Sequence, residues 1–429
     1  MEYKQVVVGW KEFKIPEVLP RFSDADLNID FITTITGPRR AGKTYFCFQL
    51  IQKLLKEGTS KENVFYINFE DNKLLGASAE DLEKILESFL ELSEINKKQK
   101  MYFFLDEIQT VKDWDAWVRK IYDTRKNMRL IITGSSSKLL SREISTKLRG
   151  RIINQEIFPL SFKELLQWKD IKYNPKTISY STDKIAVKKQ FSIFIADGGY
   201  PALFVDKNVP KETILQGYYD SMIFKDIIER YKIEDTKKLK SLAQLLFQSV
   251  SSEMSYNNLA NRLKSIGFRT SKNTIIEYIS HFEDAYLFFQ NMKYEYSLAK
   301  QIGSIKKVYC VDNGLLNSVS FKFSDDFGKL LENTVFLELK RKKEVIYYHR
   351  KYYECDFLVV KKNKVTKAIQ VTVKLNEKNE QREIKGLLEA LKEHDLNEGL
   401  ILTEDQEEVR TAEGKKIIIK PIWKWLLEN

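Results

Sequence analysis

Residues 31–50 read FITTITGPRRAGKTYFCFQL, and this stretch decides the fold. A β-branched run ends at Gly37. Gly37, Pro38, Arg39, Arg40, Ala41, Gly42, Lys43 and Thr44 then satisfy the spacing GxxxxGK[ST], and an amphipathic run opens at Tyr45. Strand, glycine-bounded loop and helix in that order make a phosphate cradle: the glycines let the backbone close with its N–H groups pointing inward, and the helix N-terminus adds partial positive charge. Lys43 is expected to bridge the β- and γ-phosphates of ATP, and Thr44 to hold Mg2+. Residues Gly37 to Tyr45 are the expected nucleotide contacts.

Further along, MYFFLDE (101–107) is an apolar strand that delivers Asp106 and Glu107 to its carboxyl end, the edge where parallel sheets bind ligands. Asp106 is expected to fix the magnesium through water. Glu107 would orient and polarise the attacking water as general base. The strand RLIITG (129–134) ends in Thr133, Gly134, Ser135 and Ser136. Ser135, with Ser136 and Thr133 behind it, is the candidate sensor of the γ-phosphate or the attacking water, a role that arises when an extra strand lies between the two strands already named. The competing reading is N-capping of the following run SSKLLSREI.

Residues 31–160 alternate strand-like and helix-like runs: FITTIT, a helix over 42–57, VFYINF, a helix over 79–91, MYFFLD, a helix over 114–124, RLIITG, a helix over 136–146, and RIINQEIF. Such alternation predicts a parallel sheet covered on both faces, an α/β fold. Residues 1–160 thus form the nucleotide-binding core, and 161–235 read as a helical lid interrupted by the turn Asp197-Gly198-Gly199-Tyr200-Pro201. Over 236–319, helical patterns at 237–250, 256–264 and 272–284 precede the alternating run LFFQNMKYEY, which predicts a helix-turn-helix with a β wing. Residues 320–429 form a second α/β unit: a helix (325–342), the strands EVIYYH, CDFLVV and KAIQVTV, a helix (378–393), and the strands GLILT and KIIIKPI.

Composition narrows the function classes. No apolar run of the 429 residues approaches the ~18 needed to span a bilayer. The start, MEYKQVVVGWKEF, is too short and too charged for a signal peptide, so a cytoplasmic location is expected. Cys47, Cys310 and Cys355 are far apart, as are His281, His349 and His394, which supports neither a disulfide framework, nor a zinc site, nor a serine–histidine hydrolase. The net charge of +11 favours anionic partners, or equally a solvated Lys/Glu surface.

GPRRAGKT, the LDE of 105–107, ITGSSSKLLS, LRGRI, FPLSFKELL and the GGYP of 198–201 together resemble the archaeal and bacterial AAA-type ATPases that carry a C-terminal domain of unknown function and are related to the origin-recognition ATPases. The similarity runs from about residue 15 to the C-terminus. It implies an arginine that reaches a neighbouring subunit's γ-phosphate within a homo-oligomer. Arg151 fits that position and Arg149 is second, the alternative being local pairing with surface acids.

The resemblance also implies a winged helix over SYNNLANRLKSIGFRTSKNTIIEYISHFEDAYLFF, where Leu259, Leu263, Ile275, Ile276, Ile279 and Phe282 have core spacing. Lys272, Asn273 and Thr274 would lead a DNA-recognition helix, with Arg262, Lys264 and Arg269 for phosphates. Glu277, Glu283 and Asp284 on or near that helix weigh toward a protein contact instead.

GKLLENTVFLELKR, YYECDFLVV and KAIQVTVK are similar to the elements of a PD-(D/E)XK (restriction-endonuclease-like) nuclease, which assigns Glu332 and Asp356 to its first two acidic positions. Gln370-Val371-Thr372 stands where an acid and a lysine belong, so a catalytically dead domain is expected. Strand alternation would bring Lys374 to the same face as Gln370 and Thr372, where it could act as a migrated lysine. The leading reading is an ATPase that couples nucleotide state to DNA contact. A switch acting on protein partners and an ATP-regulated nuclease are the alternatives.

Overall fold

The computed structural model describes residues 3–135, 148, 150–206, 208–320 and 327–428. It divides into two compact units, one ending at Phe158 and the other beginning at Pro159.

In the first unit five parallel strands, β1 (Ile32–Thr36), β2 (Val64–Asn68), β3 (Met101–Asp106), β4 (Met128–Gly134) and β5 (Ile152–Glu156), lie in the order β2-β3-β4-β1-β5. Every residue of β1, β3 and β4 is buried, which is why these strands read as continuous apolar or β-branched runs rather than alternating ones. Both faces are covered by helices α1 (Tyr3–Glu12), α2 (Lys43–Lys56), α3 (Ala79–Leu92) and α4 (Trp114–Thr124). Phe46, Cys47, Leu50, Ile51 and Leu54 recur at helical spacing on the buried side of α2. Between sheet and α3, Phe65, Phe89 and Phe103 pack with ring centroids 5.0 to 5.3 Å apart. Helix α3 begins at a reciprocal Ser78–Asp81 capping box. The sequence reading had no element over α1, which docks by burying Val7 and Trp10 and by a Trp10 indole N–H bond of 2.6 Å to the Val64 carbonyl. The helix expected over 136–146 lies outside the described residues.

The second unit opens with helices Phe162–Trp168, Asp183–Asp197 and Lys211–Ser221, the last running into a π-helical stretch, Met222–Glu229. The GGYP turn has a packing reason. Asp312 accepts the Gly199 N–H at 2.6 Å and the Leu315 N–H at 3.0 Å, while a Cβ on Gly198 would stand 2.0 Å from its Oδ1 and one on Gly199 2.4 Å from the Leu160 carbonyl oxygen. Only glycines let this loop close on the buried carboxylate.

Helices Thr236–Gln248, Tyr256–Ser265 and Lys272–Asp284 follow, with a three-stranded antiparallel sheet of β6 (Glu253–Met254), β7 (Phe288–Met292) and β8 (Lys306–Cys310) in the order β6-β8-β7. Leu259, Leu263, Ile275, Ile279 and Phe282 are buried as their spacing required, whereas Ile276 is exposed. Helix Phe327–Arg341 then leads to a mixed sheet of β9 (Val345–Arg350), β10 (Glu354–Lys361), β11 (Lys364–Val371), β12 (Glu398–Thr403), β13 (Glu408–Ala412) and β14 (Lys415–Pro421), ordered β13-β14-β12-β11-β10-β9, with helix Glu380–Glu393 between β11 and β12. Strand β13 had no signal in the sequence, because an edge strand with no fully buried position needs no apolar run. Among the described residues no helix is long and apolar enough to cross a membrane.

Candidate active site

The phosphate loop leaves β1 at Gly37 (φ 148°) and enters α2 through Gly42 (φ 98°), both in the region that favours glycine. A Cβ at position 37 would lie 2.0 Å from the Ile157 carbonyl oxygen, so the loop sits directly against the chain that leaves β5. Lys43 is buried and curls over its own loop, its ammonium donating to the Gly37 and Pro38 carbonyls at 3.2 Å each. Arg39 pairs with Glu70 at 2.8 Å, and Tyr45 faces solvent. Arg21, which no motif marks, is buried and donates to the Ala41 carbonyl (2.9 Å) and the Phe158 carbonyl (2.7 Å).

Because β1, β4 and β3 are adjacent and parallel, their carboxyl ends bring Lys43, Thr44, Thr133, Asp106 and Glu107 together. Asp106 accepts from Thr44 Oγ1 at 2.7 Å, from the Tyr66 hydroxyl at 2.8 Å and from Thr133 Oγ1. Burial, then the neighbouring Glu107, raise its pKa above the ordinary carboxylate value. Glu107 is held at φ 52°, a left-handed backbone that costs a non-glycine residue on the order of 1–3 kcal/mol, and its N–H donates to Thr133 Oγ1 at 2.9 Å. Its carboxylate lies 3.5 Å from the Lys43 ammonium and accepts from the Gln109 amide. Burial acts to raise the Glu107 pKa, but Lys43, Gln109 and Arg39 together outweigh it and hold the group below its usual value. Thr133, placed behind Ser135 in the sequence reading, touches both acids. Ser135 is buried just past it, and Ser136 lies outside the described residues. A hydroxyl and a carboxylate 2.7 Å apart beside the loop form a hard oxygen donor set that fits Mg2+, with Thr44 and Asp106 the residues to hold it.

Arg151 is not brought to this loop. It precedes β5, its carbonyl accepting from the first N–H of β1 at 2.8 Å, so it stands at the amino-terminal edge of the sheet while the loop is at the carboxyl edge. There it pairs with Asp123 at 3.2 Å and covers the Tyr122 ring. Arg149 lies outside the described residues.

In the second unit Glu332 and Asp356 do converge, together with Glu354, on a residue the sequence reading passed over. The Lys307 ammonium from β8 lies 2.9 Å from Glu332, 2.8 Å from Asp356 and 2.5 Å from Glu354. Burial works against the lysine's charge, and Asp356 and Glu332 overcome it, holding its pKa well above the ordinary value. Gln370 is buried beside them but spends its amide on Glu383 at 2.6 Å. Lys374 corrects the sequence expectation: β11 ends at Val371, alternation stops there, and the side chain is exposed. Two histidines distant in sequence are near in space. His349 at the end of β9 and His394 just after helix Glu380–Glu393 lie with ring centroids 5.9 Å apart, and with Glu393 they offer ligand atoms within 4.8 Å of one another.

Comparison with known proteins agrees with the first-unit geometry. A model of the AAA domain matches residues 30–166, and two models of domains of unknown function match residues 188–326 and 327–425. An uncharacterised protein of Methanocaldococcus jannaschii is 40% identical over 439 residues, covering 99% of this chain and 95% of that protein. An uncharacterised protein of Haemophilus influenzae is 33% identical over 314 residues, covering 73% of this chain and 75% of its own. Among solved structures, a Walker-type ATPase of Pyrococcus abyssi aligns over 74% of this chain and 94% of its own at 13% identity, with a TM-score of 0.42. The AAA model lies on the residues that build the phosphate loop and its two acids, and with the first relative matched almost end to end, the chain belongs to the same family as that protein, a family that carries an AAA domain.

Proposed function

We propose that the protein hydrolyses ATP with Mg2+ in its first unit and couples nucleotide state to contact with nucleic acid through the helices and sheet of residues 236–319. The observation that carries the catalytic half is the linked set Thr44–Asp106–Thr133–Glu107 beside Lys43. Bound Mg2+ would supply positive charge to the phosphates. The chain's residues do the rest: Gly37 to Thr44 enclose the triphosphate, Lys43 neutralises its outer phosphates, and Glu107 orients and polarises water. Thr133 fixes the angle between the acids. A low pKa at Glu107 keeps it ionised and able to accept a proton. Arg151 would serve a neighbouring subunit's site in a homo-oligomer, since its own loop is at the opposite sheet edge.

The nucleic-acid half draws support from which side chains are exposed on and beside helix Lys272–Asp284. Of the acids that weigh against DNA, Glu283 bonds the Gln290 side chain and Asp284 the Tyr231 hydroxyl, leaving Glu277 exposed beside exposed Lys264, Arg269, Lys272 and Asn273. We assign residues 161–235 a lid role, 236–319 a winged helix and 320–429 a nuclease-like module. A nuclease reading has less support because the ammonium of Lys307 lies among the carboxylates.

The test is ATP turnover with and without single-stranded, duplex and branched DNA across a salt series. Stimulation that weakens steeply as salt rises supports the proposal. Indifference to every DNA would favour the switch acting on protein partners.

A further inference from the structure

Buried carboxylates demand a cation, because a charge removed from water without a partner is strongly unfavourable. In the second unit two of them, Glu332 and Asp356, joined by the partly exposed Glu354, point at one place, and that place is filled by the Lys307 Nζ at 2.5 to 2.9 Å from all three. The lysine side chain is 2% exposed. Further donors serve the same acids: the Tyr309 hydroxyl reaches the Glu332 Oε1 that Lys307 also bonds, at 2.7 Å, and the Val371 N–H reaches Asp356 Oδ2 at 2.9 Å. A hard divalent ion such as Mg2+ needs several oxygens at about 2.0–2.1 Å around a common centre. Here that centre is a nitrogen. The neutral side chain of Gln370 donates to Glu383 and accepts the Asp356 backbone N–H at 3.3 Å, and Lys374 is exposed to solvent.

We propose that Lys307 is the resident cation of the Glu332–Glu354–Asp356 centre, standing where a divalent metal would be held. The module therefore keeps its fold without metal and has no metal-dependent phosphodiester chemistry. The lysine comes from β8, so the centre also fastens the sheet of residues 253–310 to helix Phe327–Arg341 and strand β10. This inference is independent of whether the first unit hydrolyses ATP.

A consequence separates this from a purely structural salt bridge: removing the ammonium should uncover a metal site. The experiment is Mn2+ binding by electron paramagnetic resonance and thermal unfolding on the full chain without nucleotide, comparing wild type, Lys307→Ala, Asp356→Asn and the double variant. The expected result is a lowered Tm in Lys307→Ala that Mn2+ restores, with one more bound Mn2+ per chain than wild type, both effects vanishing in the double variant. Wild type and Asp356→Asn should bind equal Mn2+. Lys307→Met, which fills the same space without charge, gives the same comparison where the smaller side chain fails to fold. The proposal is overturned if either folded Lys307 variant takes up no additional Mn2+, or if wild type holds a Mn2+ that Asp356→Asn removes.

Discussion

The Lys43 ammonium and the Glu107 carboxylate lie 3.5 Å apart, both nearly inaccessible to water. Each is the other's compensation until phosphates arrive, and a triphosphate that draws Lys43 away releases Glu107 toward water. Glu107→Gln should therefore bind ATP at least as tightly as wild type while losing turnover by about 10²–10⁴-fold, the usual worth of a positioned general base. Equilibrium binding of a fluorescent ATP analogue and a phosphate-release assay check the two halves separately. Turnover equal to wild type would remove the base assignment.

The Thr133 hydroxyl bonds both acids, the Asp106 carboxylate and the Glu107 backbone N–H. Thr133→Val keeps the shape of the buried strand but leaves the Glu107 N–H and Asp106 Oδ1 without that partner. An unsatisfied buried group costs roughly 1–3 kcal/mol. The expected outcome is a lowered Tm and a fall in kcat with little change in KM, measured by steady-state kinetics.

Arg151 pairs with Asp123 at the edge of the sheet remote from its own loop. If it serves a neighbouring subunit, Arg151→Ala should leave ATP binding intact, slow turnover in the assembled form and change nothing for dilute monomer. A turnover series against protein concentration reads this. An unchanged rate in a sized oligomer would restrict Arg151 to its local ion pair.

Burial pushes Asp312 up to about 6 from its ordinary 3.8, opposed by the N–H groups of Gly199, Leu315 and Gly314. With the folded value raised, the folded chain binds more protons than the unfolded chain between 3.8 and about 6, so this group's contribution is full below that window and lost as pH rises through it. Asp312→Asn has no such slope. Relative to wild type the variant should gain on the order of 2–3 kcal/mol across the window, whatever the offset at its start. Parallel urea melts at stepped pH test it, and a constant gap would show that the carboxyl does not titrate there.

The phosphate loop and the two acids were legible because their signal is local: fixed spacing in GPRRAGKT, and an apolar strand ending in two carboxylates. Helices Lys43–Lys56 and Trp114–Thr124 follow their periodicity closely for the same reason. What escaped notice comes from meetings between distant positions. Lys307 and Asp356 are 49 residues apart, and Arg21 reaches a carbonyl 137 residues away. Nothing in KKVYC or LPRFSD announces such a partner. Strand β4 shows another limit: its place between β1 and β3 follows from the pattern, but that Thr133 turns toward the acids depends on pleat and register. Lys374 erred for a related reason, since alternation holds only while the strand lasts.

Arg21 has a last implication. One guanidinium grips the carbonyl of Ala41, inside the phosphate loop, and that of Phe158, the final residue of the first unit. These are charge-assisted bonds from a rigid planar fork, which does not stretch to let its two ends drift apart. The phosphate loop and the end of the first unit are therefore braced to one another through one side chain. That brace is thus a residue outside every recognised motif.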